Sequence, residues 1–365
     1  MSVPVVAARR SPFCAADGVL AGWHPVDLAA VVMREAIAAA DLGDDEVDLV
    51  VAGCAEPVGA QGANVAQACV LAAGWRSAIP SLVVDAAAVS GFASLAAAAD
   101  AVAQGRARTA VVVGVSSASI VRPGASALGR QYGRPWGDSV ATRYADAGGL
   151  LPPVVAADRV ALARGIDRPR QDAWGRASHA RRPARVDGLV EVGARPGASV
   201  AVQRGTPVTA DVLRSSPPVD LEPIFEPEGS TTAAGFAPAA DGVTVLVLST
   251  RGSRPLGELL DVRIGAGDPI DPLAGIGVAT GLSVDGWSVA EPSASTVLLV
   301  LEALGLEESA VNVDGGTIAV GDAGAAEDLR LVADAMHGAT SGDTGAALRV
   351  GTGAVSYTHL TLADE

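Results

Sequence analysis

The chain alternates short apolar runs with longer segments that carry an apolar face at helical spacing. Val3 to Ala8 opens as a strand candidate. Leu28, Val31, Val32 and Ile37, with neighbouring alanines, then fall on one broad helical face, and Asp27 stands where an N-cap is expected. Val47 to Ala52 is a short, nearly continuous apolar run, the pattern of a strand buried on both faces, followed by a Gly-containing loop and a helix around Asn64 to Ala73. Ser81 to Asp85 predicts a further buried strand, Ala93 to Gln104 an Ala-rich helix, and Thr109 to Val115 another buried strand. Strands and helices in turn predict a layered α/β fold.

From about Ser116 to Pro238 the pattern breaks into Gly-, Pro- and Arg-rich sequence with one clear helix, Pro169 to His179, and this stretch reads as an insertion. Alternation resumes with Gly242 to Ser249, Leu260 to Ala266, a helix near Ser293 to Leu304, and the apolar runs Ala346 to Val350 and Ala354 to Leu362. The second half thus repeats the order of the first, a duplication signal. The boundaries that follow are residues 1–115 for the N-terminal half, 116–238 for the insertion, 239–252 for a strand returning to the N-terminal half, and 253–365 for the C-terminal half.

Composition excludes several classes. Among 365 residues, 49% apolar against 18% charged supplies a large core and rules out global disorder. The longest apolar stretch, Ala86 to Ala99, lies between Asp85 and Asp100 and is too short to cross a hydrocarbon layer of about 30 Å. The first residues lack the apolar core of a secretory signal, so a cytoplasmic location is expected. A formal charge of −15 repels phosphate backbones and argues against nucleic acid as a partner. Every basic residue is Arg, which removes lysine Schiff bases, a P-loop lysine and a lysine general base. Cys14, Cys54 and Cys69 form no CxxC pair, and the spacing of His24, His179, His337 and His359 supports no metal site. The cysteines read as ordinary buried thiols and the histidines as packing or surface groups.

Several segments, in order, resemble the thiolases, the acyl-CoA C-acyltransferases. Ala8-Arg9-Arg10-Ser11-Pro12-Phe13 is similar to the family's opening Arg-Thr-Pro stretch, and Val50 to Gln67 to its second strand, loop and helix. Gly229-Ser230-Thr231-Thr232-Ala233 with Asp241-Gly242 resembles the segment returning from the loop domain, and Val311-Asn312-Val313-Asp314-Gly315-Gly316 the family's Asn-Val-Asn-Gly-Gly. The resemblance runs from Arg9 almost to the C-terminus and implies the thiolase fold, a duplicated five-layered α/β/α/β/α core with an inserted loop domain.

It also places the family's chemistry on unusual residues. The Cys-x-Ser-Gly nucleophile segment corresponds to Ala88-Val89-Ser90-Gly91, and the Gly-His-Pro segment to Gly321-Asp322-Ala323. The second cysteine, which moves protons, corresponds to Arg349, and the Asn-Glu-Ala-Phe segment to Ala290-Glu291-Pro292-Ser293, which keeps only the Glu. Gly235-Phe236 stands where the family's Gly-Asn lies near pantetheine, so Phe236 is a candidate for contact with CoA. A methyl group forms no thioester, a carboxylate cannot donate to an oxyanion, and a guanidinium does not shuttle protons. Asp322 or Glu291 is accordingly expected to pair with Arg349 and fill the vacated pocket, the sharper alternative being a general base of raised pKa. The insertion's Arg176, Arg181, Arg182 and Arg185 read first as a solvated face, with Arg181 and Arg182 as candidates for CoA phosphate contact.

Two functions follow from the resemblance. The first is a non-catalytic thiolase-like subunit in acyl-CoA and lipid metabolism, without a resident cofactor but with CoA or acyl-CoA as a possible ligand. Its partner is a second copy, a catalytic thiolase-fold chain, or a zinc-ribbon and OB-fold acyl-CoA-binding protein. The alternative is an enzyme of altered mechanism on an acyl-CoA, a retro-aldol lyase or an acyltransferase, using Asp322, Glu291 and Tyr357 around one cavity. The resemblance implies that Ser81 to Asp85 pairs across a dimer two-fold, and its apolar, largely β-branched Leu82, Val83 and Val84 would make an uncovered edge there aggregation-prone.

Overall fold

In a computed structural model, residues 2–128, 133, 135–181, 186–196, 203–212, 221–252, 254–338, 343–351 and 354–362 are described. The first half contains β1 (Val3–Arg10), β2 (Cys14–Ala15), α1 (Pro25–Ala39), β3 (Leu49–Gly53), α2 (Val65–Ala72), β4 (Ser81–Val84), α3 (Ser90–Ala103) and β5 (Thr109–Ser117). The irregular stretch holds α4 (Ala125–Leu128), α5 (Asp138–Arg143), α6 (Pro153–Ala163), α7 (Arg168–Ala180), β6 (Val192–Gly193) and β7 (Pro207–Val208). Then come β8 (Ala240–Ser249), β9 (Gly257–Ala266), β10 (Gly286–Val289), α8 (Ala294–Leu304), α9 (Thr317–Val320), α10 (Ala325–Gly338), β11 (Thr344–Gly351) and β12 (Ala354–Leu362).

The long strands pair in the order β10-β11-β12-β9-β1-β8-β5-β3-β4. In the first half β1, β8 and β5 run antiparallel in turn, and β5, β3 and β4 run parallel. The second half repeats this: β9, β12 and β11 are antiparallel in turn, and β11 and β10 are parallel. The two halves meet where Val3, Pro4 and Val5 pair with Leu259, Glu258 and Gly257. The β-branched runs of β5 and β8 are buried on both faces, which explains why they carry no polar alternation.

Helices α1 and α2 cover the outer face of the first half, and α8, with α6 and α7 against it, covers the outer face of the second. Between the sheet faces lie α3 and α10, packed on each other and on strands of both halves. This is the duplicated α/β/α/β/α layering that the resemblance implies. The central packing is close because two positions lack a side chain: a Cβ on Gly91 or Gly114 would run into the Ala325 carbonyl.

Local expectations are corrected at three places. The N-cap of α1 is His24, whose Nδ1 accepts from the Val26 amide at 3.3 Å, and Asp27 sits inside the first turn. Strand β4 lies at the end of the sheet and is not fully buried, with Leu82 52% exposed. The insertion holds α6 as well as α7. Pro152-Pro153 hides it, yet Pro153 is tolerated at the helix start, and Val154, Val155, Ala156, Ala157 and Ala161 are buried.

Candidate functional site

The turn that leads into α3 is built by its own polar groups. Asp85 accepts the Ala87 amide through Oδ1 at 3.0 Å, while Ser90 Oγ donates to the Ala87 carbonyl at 2.7 Å and accepts the Ala86 amide at 2.9 Å. Ala87 is held in the left-handed region, φ 50°, where a residue with a Cβ is disfavoured, so the turn is strained locally. Ser90 is thus a structural hydroxyl. The next residue after the strained one, Ala88, opens onto a cavity of about 520 Å³.

Ala88, Phe236, Asp322 and Arg349 all line that cavity. Arg349 reaches it from β11, buried to 4% exposure, and donates from Nη2 to Asp322 Oδ2 at 2.6 Å and from Nη1 to Asp328 Oδ1 at 3.5 Å. The expected pairing therefore forms with Asp322 and not with Glu291. Burial opposes the charged guanidinium, but Asp322 and Asp328 outweigh it and hold the Arg349 pKa above its ordinary value. Behind the pair, Asp328 Oδ2 accepts the amides of Gly91 at 2.9 Å and Phe92 at 3.4 Å, a carboxyl set on the positive end of α3. Burial raises its pKa to about 8, and the Asp322 charge adds to this, against the lowering effect of Arg349 and the two amides.

Glu291 does something else. Fully buried, it accepts from Trp174 Nε1 at 2.9 Å, Asn312 Nδ2 at 2.7 Å, Ser178 Oγ at 2.7 Å and the Ile318 amide at 3.2 Å. Burial raises its pKa while these four donors oppose the rise. It ties α7 of the insertion to the 312–318 loop, and a Cβ at Gly316 would land on its carboxylate. Tyr357 is also buried, its hydroxyl donating to Asp261 Oδ2 at 3.2 Å. Neither Glu291 nor Tyr357 lines the cavity, so the acid–base trio expected from the sequence is not brought together.

Arg181 is likewise committed elsewhere. Its Nη1 donates to the Val311 carbonyl at 3.1 Å, with the guanidinium 5.2 Å over the Trp174 ring. Arg182 and Arg185 lie outside the described residues. All three cysteines are buried, and burial pushes their thiols up to about 12 for Cys14 and Cys69 and about 11 for Cys54, away from the thiolate a nucleophile needs. Phe236 forms one wall and meets Phe225 edge to face at 5.1 Å.

Two carboxylates on the cavity wall escape sequence reading. Glu56 accepts the amides of Gly124 at 2.5 Å and Ser126 at 2.7 Å, which pins the loop after β5 over the cavity, and Asp85 lies on the rim turn. Asp328 was also missed. On α10 it follows Glu327, and only its long-range contact with α3 reveals the role.

A duplicated α/β/α/β/α fold, with a cavity where the α3 N-terminus faces β11, defines the protein as thiolase-like. The chain belongs to the thiolase family, since residues 3–252 match the family described as thiolase, N-terminal domain. It is similar to a steroid 3-ketoacyl-CoA thiolase of Mycobacterium tuberculosis, 28% identical over 87% of this chain and 83% of that one. An acetyl-CoA acetyltransferase of Pseudomonas aeruginosa is 29% identical over 92% of each. Among solved structures, the dimeric peroxisomal thiolase of Saccharomyces cerevisiae superposes with a TM-score of 0.84 at 23% identity, covering 99% of this chain and 97% of that one. The human mitochondrial 3-ketoacyl-CoA thiolase in complex with CoA gives 0.82 at 21%, covering 99% and 98%.

Proposed function

We propose that the chain is a non-catalytic thiolase-fold subunit that keeps an acyl-CoA pocket while a partner performs the chemistry. The observation that carries this reading is the wall of the cavity: among the described residues lining it there is neither a cysteine nor a histidine. Ala88 stands at the start of α3, where the resemblance puts the nucleophile, and Arg349 with Asp322 forms a closed ion pair where it puts the proton-moving groups. The buried thiols of Cys14, Cys54 and Cys69 offer no replacement. In this reading CoA or acyl-CoA is a ligand, as suggested by the human relative solved with CoA. The two halves, residues 1–115 and 253–365, the loop domain 116–238 and the returning strand 239–252 keep the family's organisation, and the subunit acts in cytoplasmic lipid metabolism.

The chain assembles as a homodimer, or as a heteromer with a catalytic thiolase-fold chain or a zinc-ribbon and OB-fold acyl-CoA-binding protein; a second copy supplies association only, and the chemistry falls to another chain. Strand β4 supports association, because it ends the sheet and exposes Leu82. The test is turnover: the purified chain neither cleaves acetoacetyl-CoA nor condenses acetyl-CoA, and co-purification from the native source returns a chain with an intact Cys and His set. Cleavage above the uncatalysed rate that is lost on changing residues of the cavity would defeat the reading.

A second reading, an enzyme of altered mechanism such as a retro-aldol lyase, is favoured by one observation. Asp322, Asp85 and Glu56 put three carboxylates on a single cavity, and a general base is within that chemistry. Turnover of a β-hydroxyacyl-CoA that disappears in Asp322→Asn would support it over the first.

A further inference from the structure

The charge of the cavity wall speaks to what the pocket accepts. Among the described residues lining it, Glu56, Asp85 and Asp322 are acidic and Arg349 alone is basic. The single cation is already engaged, by Asp322 at 2.6 Å and, from behind the wall, by Asp328 at 3.5 Å. Glu56 has both oxygens on backbone amides and is fixed in place. Among the described residues lining the cavity, an incoming carboxylate would therefore meet like charges, with no free guanidinium or ammonium to replace its water.

The rest of the wall is apolar. Val115, Val121, Val154, Phe236 and Val350 dominate it, and Phe236 is backed by the ring of Phe225, itself 42% exposed. A volume of about 520 Å³ is within the range of small-molecule sites.

We infer that this pocket selects uncharged, predominantly apolar acyl groups and rejects those ending in a carboxylate. The selection is made by repulsion, since the acids on the wall disfavour the wrong ligand instead of contacting the right one. The inference rests on the proposed reading of the cavity as an acyl-ligand site, and it adds the chemical class of the acyl group.

The test is calorimetric titration of the full chain with octanoyl-pantetheine and with its analogue carrying a terminal carboxylate on the same chain. The neutral thioester is expected to bind, and the carboxylated one at least about tenfold more weakly. Asp85→Asn, which keeps an acceptor for the Ala87 amide, is expected to narrow that gap by weakening the repulsion, and Ala88→Phe to abolish binding of both by filling the cavity. Equal or tighter binding of the carboxylated thioester would overturn the inference, as would no binding of either, or binding that survives Ala88→Phe. Turnover of the bound thioester would defeat the non-catalytic reading and leave the charge ranking standing, so the two failures are separable.

Discussion

Arg349 on β11 and Asp322 in the loop before α10 lie 2.6 Å apart and close the floor of the cavity, with Asp328 held behind them by the first amides of α3. A strand, a loop and two helices thus converge on one guanidinium. Removing that guanidinium leaves its partners without their cation, so Arg349→Met is expected to destabilise the protein by about 3–5 kcal/mol. Combining it with Asp322→Asn and Asp328→Asn should recover part of the loss, because an absent pair costs less than a broken one. Chemical denaturation of the single and triple variants reads the difference.

Asp328 also sets a pH dependence. Its carboxyl ordinarily titrates near 3.8 and here near 8, so between those values the unfolded chain releases a proton that the folded chain retains. The stabilisation is fully present below about pH 3.8 and is lost as pH rises towards 8. Asp328→Asn keeps an acceptor for the Gly91 amide but does not titrate, and its unfolding free energy is expected to fall less than that of the parent between pH 5 and pH 8. Parallel slopes for the two proteins would contradict this.

Glu291 holds the insertion to the C-terminal half through Trp174 and Ser178 of α7, with Asn312 and the Ile318 amide completing its four donors. Glu291→Ala leaves those donors buried without an acceptor, and a loss of about 3 kcal/mol or more is expected. Trp174, which donates its indole N–H to this carboxylate, supplies a fluorescence readout of the detachment. Gly316→Ala should act in the same direction, since the new methyl would occupy the carboxylate's place.

Ala88→Cys puts a thiol on the cavity wall, where alkylating reagents are expected to reach it, while Cys14, Cys54 and Cys69 stay unreacted in the folded protein. The variant is still expected to show no thiolase turnover, because a nucleophile without its activating partners recovers little. Mass spectrometry after labelling and an acetoacetyl-CoA assay check the two halves of this statement.

Leu82→Arg places a charge on the outermost strand of the sheet. If β4 is the association edge, the variant shifts towards monomer in light scattering at micromolar concentration. A parent protein that is already monomeric, alone and with candidate partners, would remove the subunit reading.

The fold was legible where the sequence carries periodicity: β1, β5, β8 and α3 are dense apolar runs with little to confuse them. The ion pair of Arg349 was legible down to two carboxylates, Asp322 or Glu291, because the family resemblance brings these positions to one pocket, and the structure selects Asp322. Glu291 was misplaced for a physical reason. Proximity to a pocket in sequence alignment says nothing about which way a side chain turns, and Trp174, Ser178 and Asn312 draw its carboxylate away from the cavity. The carboxylates at 56, 85 and 328 carry no sequence signature at all. The roles of Glu56 and Asp328 come from backbone amides of a remote loop and a helix end, contacts that no local pattern encodes, whereas Asp85 acts on its own turn through the Ala87 amide.

Strand β8 lies between β1 and β5, yet it follows β5 in the chain only after the whole insertion. During synthesis at about 5–20 residues per second, the roughly 120 residues in between take on the order of ten seconds to emerge. Throughout that interval the nascent chain holds Thr109–Ser117 with an open edge next to an unfinished core, and its run of valines is a sticky surface. An unpaired edge of that kind is an aggregation hazard, so slowed translation within the insertion is expected to lower the yield of correctly folded chain.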